Sequence, residues 1–336
     1  MPIITHGDLD GFVSALIVMG ISNITPDRVH NFSYASYRDE QWQRLLGYQI
    51  QASRSLASDT QDVWFTDLSL RPGELDWARG KQKRSLWHWV DHHVSSKDFD
   101  PDGVFHETDL QTDVNKCAAD ILWDRYGDQL HKSYPELEVW VRVAHDRDLW
   151  IRNDALLGLQ LTLLIQKASF EKSWKSLLAQ AQKVSPKTLL VLTPHLWKDE
   201  MGRYESSVQT AKTTAYTAKA GDIPLVISHI TGYGSDVSET LYDNGDEIVV
   251  LIHTMREGLV VNLRTRREDV DLSLLAKEVF SGGGHKQAAG GRLSEKHLRG
   301  GYIAITRDIV TFLKPMIAKK VTTRKGTAKT SKNDGQ

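Results

Sequence analysis

Residues 3–19 read Ile3-Ile4-Thr5-His6-Gly7-Asp8-Leu9-Asp10-Gly11-Phe12-Val13-Ser14-Ala15-Leu16-Ile17-Val18-Met19. Ile3 to Thr5 is a short strand candidate. From Gly11 to Met19 the apolar positions Phe12, Val13, Leu16 and Ile17 fall at helical spacing. A histidine and two carboxylates stand between the two segments. The same texture recurs down the first half. Val29 to Tyr34, Asp62 to Thr66 and Ser85 to Val90 read as further strands. Asp39 to Leu56, Glu74 to Lys81 and a segment capped by Asp113 and closed by Gly127 read as helices. Glu138 to Ala144 is an apolar run of ambiguous type. The alternation predicts an α/β fold whose N-terminal domain is a doubly wound parallel sheet covered on both faces.

Further along, residues 155–221 read as mostly helical, with patterns over Phe170–Lys183 and Ser206–Lys219. Gly221-Asp222-Ile223-Pro224 punctuates a change of texture. Strands are expected at Leu225–Ile230, Ile248–His253 and Leu259–Leu263, and helices at Ser235–Tyr242, Leu272–Val279 and Arg299–Met316. The expected organisation is an α/β domain over 1–154, a helical connector over 155–221, and a smaller α/β domain over 222–316. A basic tail, expected to be disordered, follows over 317–336.

The 336 residues hold 42 Lys plus Arg against 43 Asp plus Glu, so the formal net charge is −1. A global basic field for nucleic acid is excluded, and any polyanion site must be local. Hydrophobic residues at 40% and charged residues at 25% exclude disorder for the bulk of the chain. Cys117 is the single cysteine, which rules out an intrachain disulfide. The N-terminus lacks the pattern of a signal peptide. The longest apolar stretch, Leu156 to Ile165, is interrupted by Gln160 and too short for a bilayer. A cytoplasmic location without membrane contact is expected.

The chemistry-bearing residues cluster where the strands end. His6, Asp8 and Asp10 follow the first strand, Asp67 the third, and Asp91, His92 and His93 the fourth. Asp146 and Asp148 follow the apolar run. In a parallel sheet the C-terminal strand ends share one edge, which holds the ligand crevice. A lone aspartate at a strand end is commonly a cap, but four such clusters converging are not. Carboxylates packed this closely repel unless protons or cations neutralise them. Imidazole with carboxylate suits Mn²⁺, Fe²⁺, Co²⁺ or Zn²⁺. Six or so ligands fit two metals roughly 3.5–4 Å apart, the arrangement used for in-line phosphoryl displacement. Downstream, Gly282-Gly283-Gly284-His285 permits close backbone approach and is expected to open a helix facing an anion. Arg264 and Arg266 alternate onto one face of a strand end and suit phosphate, with Arg267 opposite. Trp87 and Trp89 read as core. Trp150, and more weakly Tyr34 and Tyr37, are candidates for substrate contact.

His6-Gly7-Asp8-Leu9-Asp10-Gly11, then Asp67, then Asp91-His92-His93, resemble the successive motifs of the DHH phosphoesterase superfamily. His145-Asp146-Arg147-Asp148-Leu149-Trp150 resembles the fourth motif of its oligoribonuclease-like branch. Ser281-Gly282-Gly283-Gly284-His285-Lys286-Gln287-Ala288-Ala289-Gly290 is similar to the glycine-rich segment of the C-terminal domain associated with that superfamily. The resemblance implies that His6, Asp8 and Asp67 hold one metal and that Asp10, Asp67, His92 and Asp146 hold the other, with Asp67 bridging. Asp146, the first carboxylate after the apolar run, is expected in preference to Asp148. Asp91 would orient a histidine and His93 would face the phosphate or leaving group. Arg264, Arg266, Gly283, Gly284 and His285 would bind substrate.

The implied function is a phosphodiesterase with two Mn²⁺ per site, Mg²⁺ or Co²⁺ being substitutes. Its expected partners are short RNA or DNA oligonucleotides or dinucleotides, with a homodimer as an open expectation. Hydrolysis of 3′-phosphoadenosine 5′-phosphate, cleavage of cyclic dinucleotides and RecJ-like exonuclease action are alternatives within the family. A silent nucleotide-binding regulator is the alternative outside catalysis.

Overall fold

A computed structural model describes residues 2–32, 63–69, 87–93, 107–110, 115–170, 173–243, 245, 247–255 and 258–327. The helices expected at 39–56 and 74–81, and Tyr34 and Tyr37, lie outside the described residues. The chain divides into two compact units, Met1–Met201 and Gly202–Gln336.

In the first unit, β1 (Ile3–His6), β2 (Val29–Phe32), β3 (Val63–Thr66), β4 (Trp87–Asp91) and β5 (Glu107–Leu110) form a sheet in the order β2-β1-β3-β4-β5. Every pairing is parallel. β1 and β3 are buried along their whole length, as strands covered on both faces must be. This is the doubly wound sheet expected from the sequence, and its strand order reverses between β1 and β3, where such sheets bind ligands. The register sets Thr5 beside Thr66 and Thr66 beside Val90. The residues that follow, His6, Asp67 and Asp91, therefore leave the sheet in one row.

Helix α1 (Leu9–Ser22) is buried on all sides from Leu9 to Met19 and carries the centre of the core. Its first turn lies directly over the end of β1. A Cβ on Gly11 would stand 2.3 Å from the carbonyl oxygen of His6, so only glycine permits this approach. Helices α2 (Ala118–Leu130) and α3 (Leu137–Asp148) pack on α1. The ambiguous run over Glu138–Ala144 is thus helical. Its buried positions Leu137, Trp140, Val141 and Ala144 have helical spacing. Cys117, buried, is the N-cap of α2, and that helix runs through Gly127 to Leu130.

Helices α4 (Ala155–Phe170), α5 (Trp174–Ala181) and α6 (Pro186–Leu192) bury Leu161, Leu164, Trp174, Leu178 and Leu189 in the same core as α1. Residues 155–192 belong to the first unit in this respect, and the division between units falls inside α7 (Pro194–Thr214).

The helix expected to reach Lys219 stops at Thr214, because β6 (Tyr216–Ala220) follows at once. Gly221-Asp222 is the two-residue turn to β7 (Ile223–Ile230), with Gly221 at φ 66°. The glycine and proline expected to mark a domain boundary mark a hairpin instead. After α8 (Gly234–Glu239) come β8 (Ile248–Met255), β9 (Gly258–Thr265), α9 (Leu272–Phe280), β10 (Gly283–Gly284) and β11 (Ala288–Arg292). The second sheet has the order β10-β11-β9-β8-β7-β6, with β7 and β8 parallel and the rest antiparallel. Helix α10 (Glu295–Thr327) kinks at Gly301 and continues past the expected end at Met316 into the basic segment. No described helix is long and apolar enough to cross a membrane.

Candidate metal centre

His6 ends β1, and Asp8 caps α1 by accepting the Gly11 N–H at 3.0 Å. The Asp8 carboxylate also lies 2.8 Å from His6 Nδ1. Asp67 follows β3 with φ 54°, its N–H held by the Val90 carbonyl at 2.9 Å. Its oxygens stand 3.6 Å from His6 Nδ1 and 3.6 Å from His92 Nε2. These separations are too long for hydrogen bonds. His92 Nε2 is also 3.7 Å from Asp10 and 3.4 Å from Asp148. Three ligand sets result, each with donor atoms within 4.8 Å of one another: His6-Asp8-Asp67, Asp67-His92-His93 and Asp10-His92-Asp148.

Asp10 is fully buried in the first turn of α1. Its two oxygens accept N–H groups from Ala118 and Ala119, both at 2.8 Å, at the N-terminus of α2. A helix N-terminus is a favourable seat for a carboxylate. Asp91 is buried and accepts from the His92 N–H at 3.0 Å and the Ser69 hydroxyl at 3.2 Å. One of its oxygens lies 2.7 Å from His93 Nδ1.

Asp146 does not reach the cluster. Its carboxylate accepts the N–H groups of Asn153 at 2.7 Å and Asp154 at 3.2 Å, tying down the turn after α3. Asp148 takes the place expected of it. At 3.6 residues per turn, two positions differ by roughly 200°, so only one of the pair can face His92. The ambiguous type of the run over Glu138–Ala144 concealed that geometry in the sequence. In the turn itself, Trp150 adopts φ 57°, and the guanidinium groups of Arg147 and Arg152 lie 4.7 and 5.2 Å from its ring centre.

The electrostatics are those of a site built for positive charge. Burial, then the charges of Asp67 and Asp148, push the Asp10 carboxyl above the usual carboxylate range. Burial, then Asp67 and Asp8, raise Asp148 to about 7 against the opposing pull of His92. Burial alone would lower the imidazoles. The Asp8 and Asp67 carboxylates reverse this at His6 and raise it to about 11, and Asp67, Asp10 and Asp148 raise His92 to about 10. Asp91 likewise raises His93 against burial. Burial would raise Asp67, but His6, His92 and His93 outweigh it and hold it well below the usual range. Asp67 Oδ2 and His92 Nε2 are buried with no hydrogen-bond partner among the described residues. Buried polar atoms are rarely left so. Mixed carboxylate and imidazole donors around orphaned atoms fit divalent cations of the Mn²⁺ type.

The remaining expected residues lie in the second unit. Gly282-Gly283-Gly284 does not open a helix. Gly283 and Gly284 form β10, paired with β11 through a turn in which His285 N–H donates to Ala288 O at 2.7 Å. The glycines serve this hairpin. A Cβ on Gly282 would fall 1.9 Å from the Gly290 carbonyl, and Gly284 has φ 141°. His285 is exposed at the turn. Arg264 is partly buried and donates to Ser235 Oγ and the Leu263 carbonyl, both at 2.9 Å. Arg266 pairs with Glu239 and stacks 4.6 Å over the Tyr242 ring. Both arginines thus turn toward the α8 side, while Arg267 pairs with Asp269. Trp89 is buried, its indole N–H bonded to the Leu68 carbonyl at 2.9 Å.

A family model described as the DHHA1 domain matches residues 231–308. Residues 231–308 thus carry a DHHA1 domain. Solved structures share the fold of the chain. PggH, a pGpG-specific phosphodiesterase from Vibrio cholerae, aligns with TM-score 0.59 and 15% identity, over 92% of this chain and 98% of that one. RecJ from Thermus thermophilus in complex with Mn²⁺ aligns with TM-score 0.58 and 14% identity. That match covers 94% of this chain but only 52% of RecJ. An exopolyphosphatase-related protein from Bacteroides fragilis aligns with TM-score 0.51 and 12% identity, over 94% and 92% of the two chains. No curated protein matches the sequence.

Proposed function

We propose that the chain is a metal-dependent phosphodiesterase that hydrolyses short oligonucleotides or linear dinucleotides to mononucleotides. The observation that carries this reading is the convergence of His6, Asp8, Asp10, Asp67, His92 and Asp148 into overlapping ligand sets at the switch point of the sheet. In this reading His6, Asp8 and Asp67 would hold one cation, and Asp10, His92 and Asp148 would hold the other, with Asp67 available to both. When bound, two such cations supply a water acidified toward neutrality and countercharge for the phosphate.

The chain's own residues supply the rest. Asp91 grips His93 through Nδ1, so Nε2 is the atom through which His93 acts on the phosphate or the departing oxygen. The amides of Ala118 and Ala119 grip both oxygens of Asp10 and fix its carboxylate in place as a cation ligand. Arg264, Arg266, Gly283, Gly284 and His285 bind the nucleotide or its terminal phosphate. Arg266 exchanges its Glu239 carboxylate for that phosphate.

A short substrate is supported by the neutral charge balance, since long polyanions favour basic proteins. The similarity to PggH, a pGpG-specific phosphodiesterase, points the same way. The test is a product time course with Mn²⁺ on labelled dinucleotides, longer RNA, single-stranded DNA, cyclic dinucleotides and 3′-phosphoadenosine 5′-phosphate. Mononucleotides should arise fastest from dinucleotides. Faster turnover of any other substrate replaces the substrate class, and no turnover of any leaves the regulator reading.

A further inference from the structure

Two carboxylates of the cluster come from elements that no strand or loop joins. Asp10 lies in the first turn of α1, and Asp148 is the last residue of α3. Their separation depends on how the two helices are fixed at this point, where α3 packs on α1 and the start of α2 touches both. Ala118 and Ala119 donate to the two oxygens of Asp10. Asp120, one residue on, turns its Oδ2 back to the Cys117 N–H at 2.9 Å and caps the helix. The same oxygen lies 2.6 Å from Nδ1 of His145. His145 stands three residues before Asp148, on the same face of α3 by helical geometry. His92 closes the circuit, 3.4 Å from Asp148 and 3.7 Å from Asp10.

Capping α2 requires Asp120 alone, so His145 is not needed for that role. The contact is also unlike an ordinary surface pair, because the Asp120 side chain is only 15% exposed. It joins the helix that holds Asp10 to the helix that carries Asp148, and it does so within one turn of each.

We propose that the Asp120–His145 pair is a positioning strut that sets the distance between Asp10 and Asp148, and with it the affinity of the cation position these two share with His92. The proposal rests on reading the cluster as a metal centre. Loss of His145 leaves the Asp120 cap and the amides on Asp10 in place and releases Asp148 alone. Its effect is confined to one cation position, and the His6-Asp8-Asp67 position keeps its affinity. Partners behind metal ligands are typically worth roughly 10–100-fold in metal affinity.

The experiment is Mn²⁺ titration of the full chain, followed by calorimetry and by the electron paramagnetic resonance of free Mn²⁺. It compares the unmodified chain with His145→Ala and His145→Asn, each checked for folding by circular dichroism. His145→Ala should keep one Mn²⁺ at unchanged affinity and bind the second roughly 10–100-fold more weakly. His145→Asn restores an N–H donor near the Nδ1 position and should return the second affinity to within about threefold. Turnover of His145→Ala on a dinucleotide should recover as Mn²⁺ is raised. Two unchanged affinities in His145→Ala, equal weakening of both, or a folded His145→Asn no better than His145→Ala would each overturn the strut. An unmodified chain that takes up no Mn²⁺ would overturn the metal-centre reading, and the strut with it.

Discussion

Asp67 is a non-glycine residue held at φ 54° with its amide bonded to Val90, and it faces histidines on two sides. Left-handed backbone costs an ordinary residue energy, and asparagine and aspartate tolerate it best. Asp67→Asn therefore keeps the backbone and removes the charge. It should lose Mn²⁺ and lower turnover by more than the roughly 10–100-fold typical of outer partners. Retention of both Mn²⁺ ions with near-normal rate would remove Asp67 from the centre. The pair Asp146 and Asp148 is tested in the same way. Asp148→Asn should weaken one Mn²⁺ position with little change in melting temperature. Asp146→Asn should leave Mn²⁺ binding and lower stability by about 1 kcal/mol, because a charged cap on two N–H groups becomes a neutral one. His30 gives a pH signature away from the centre. Burial, then Lys175 and Arg28, pull its imidazole down to about 4. Between about 4 and 6.5 the unfolded chain binds a proton there and the folded chain does not, so stability is lost as pH falls through that window. His30→Gln should flatten this component of the urea midpoint between pH ~7 and ~4.5. A midpoint difference from the unmodified chain that is the same at both pH values would show that His30 contributes nothing to the acid loss.

At the scale of elements, β1, β3 and β4 were legible as short apolar runs with polar residues at their C-terminal ends, and α1 as a longer apolar run that opens on Asp8 and Asp10. Asp148 was hidden because Glu138–Ala144 is short and apolar, and periodicity alone does not separate a buried strand from a buried helix over such a run. The amides that hold Asp10 were hidden for another reason. They belong to Ala118 and Ala119, whose side chains carry no signal, and only Asp120 three residues after Cys117 marks the cap. The glycine run misled toward a helix N-terminus because flexibility and close approach share one residue type. In the structure, Gly282 and Gly291 instead let the strand end pass against Gly290 and Phe280. Gly282→Ala should therefore cost about 1–3 kcal/mol by overpacking, read as a lowered denaturation midpoint. An unchanged midpoint would mean that the hairpin moves freely aside.

Across the whole molecule, the proposed cation-binding side chains all lie in the first unit and the proposed phosphate-binding groups all lie in the second. This division separates binding from chemistry experimentally. Arg266→Ala or His285→Ala should leave Mn²⁺ content unchanged. Losing a charged hydrogen bond to substrate costs about 1.5–3 kcal/mol. That corresponds to roughly a ten- to hundredfold fall in kcat/KM on a dinucleotide. Arg264 is a poorer test, because its guanidinium already holds Ser235 and the Leu263 carbonyl, and its loss would disturb the fold of the second unit. Bis-p-nitrophenyl phosphate offers no nucleotide handle, so its hydrolysis should change little in either variant. Glu239→Gln sharpens the comparison. If Glu239 competes with phosphate for Arg266, its neutralisation should lower KM for the dinucleotide without altering the model reaction. If Glu239 instead orients Arg266 for substrate, KM should rise. Equal losses on both substrates in Arg266→Ala would show that the second unit supports the metal centre or the fold, and no loss on either would remove these residues from substrate binding.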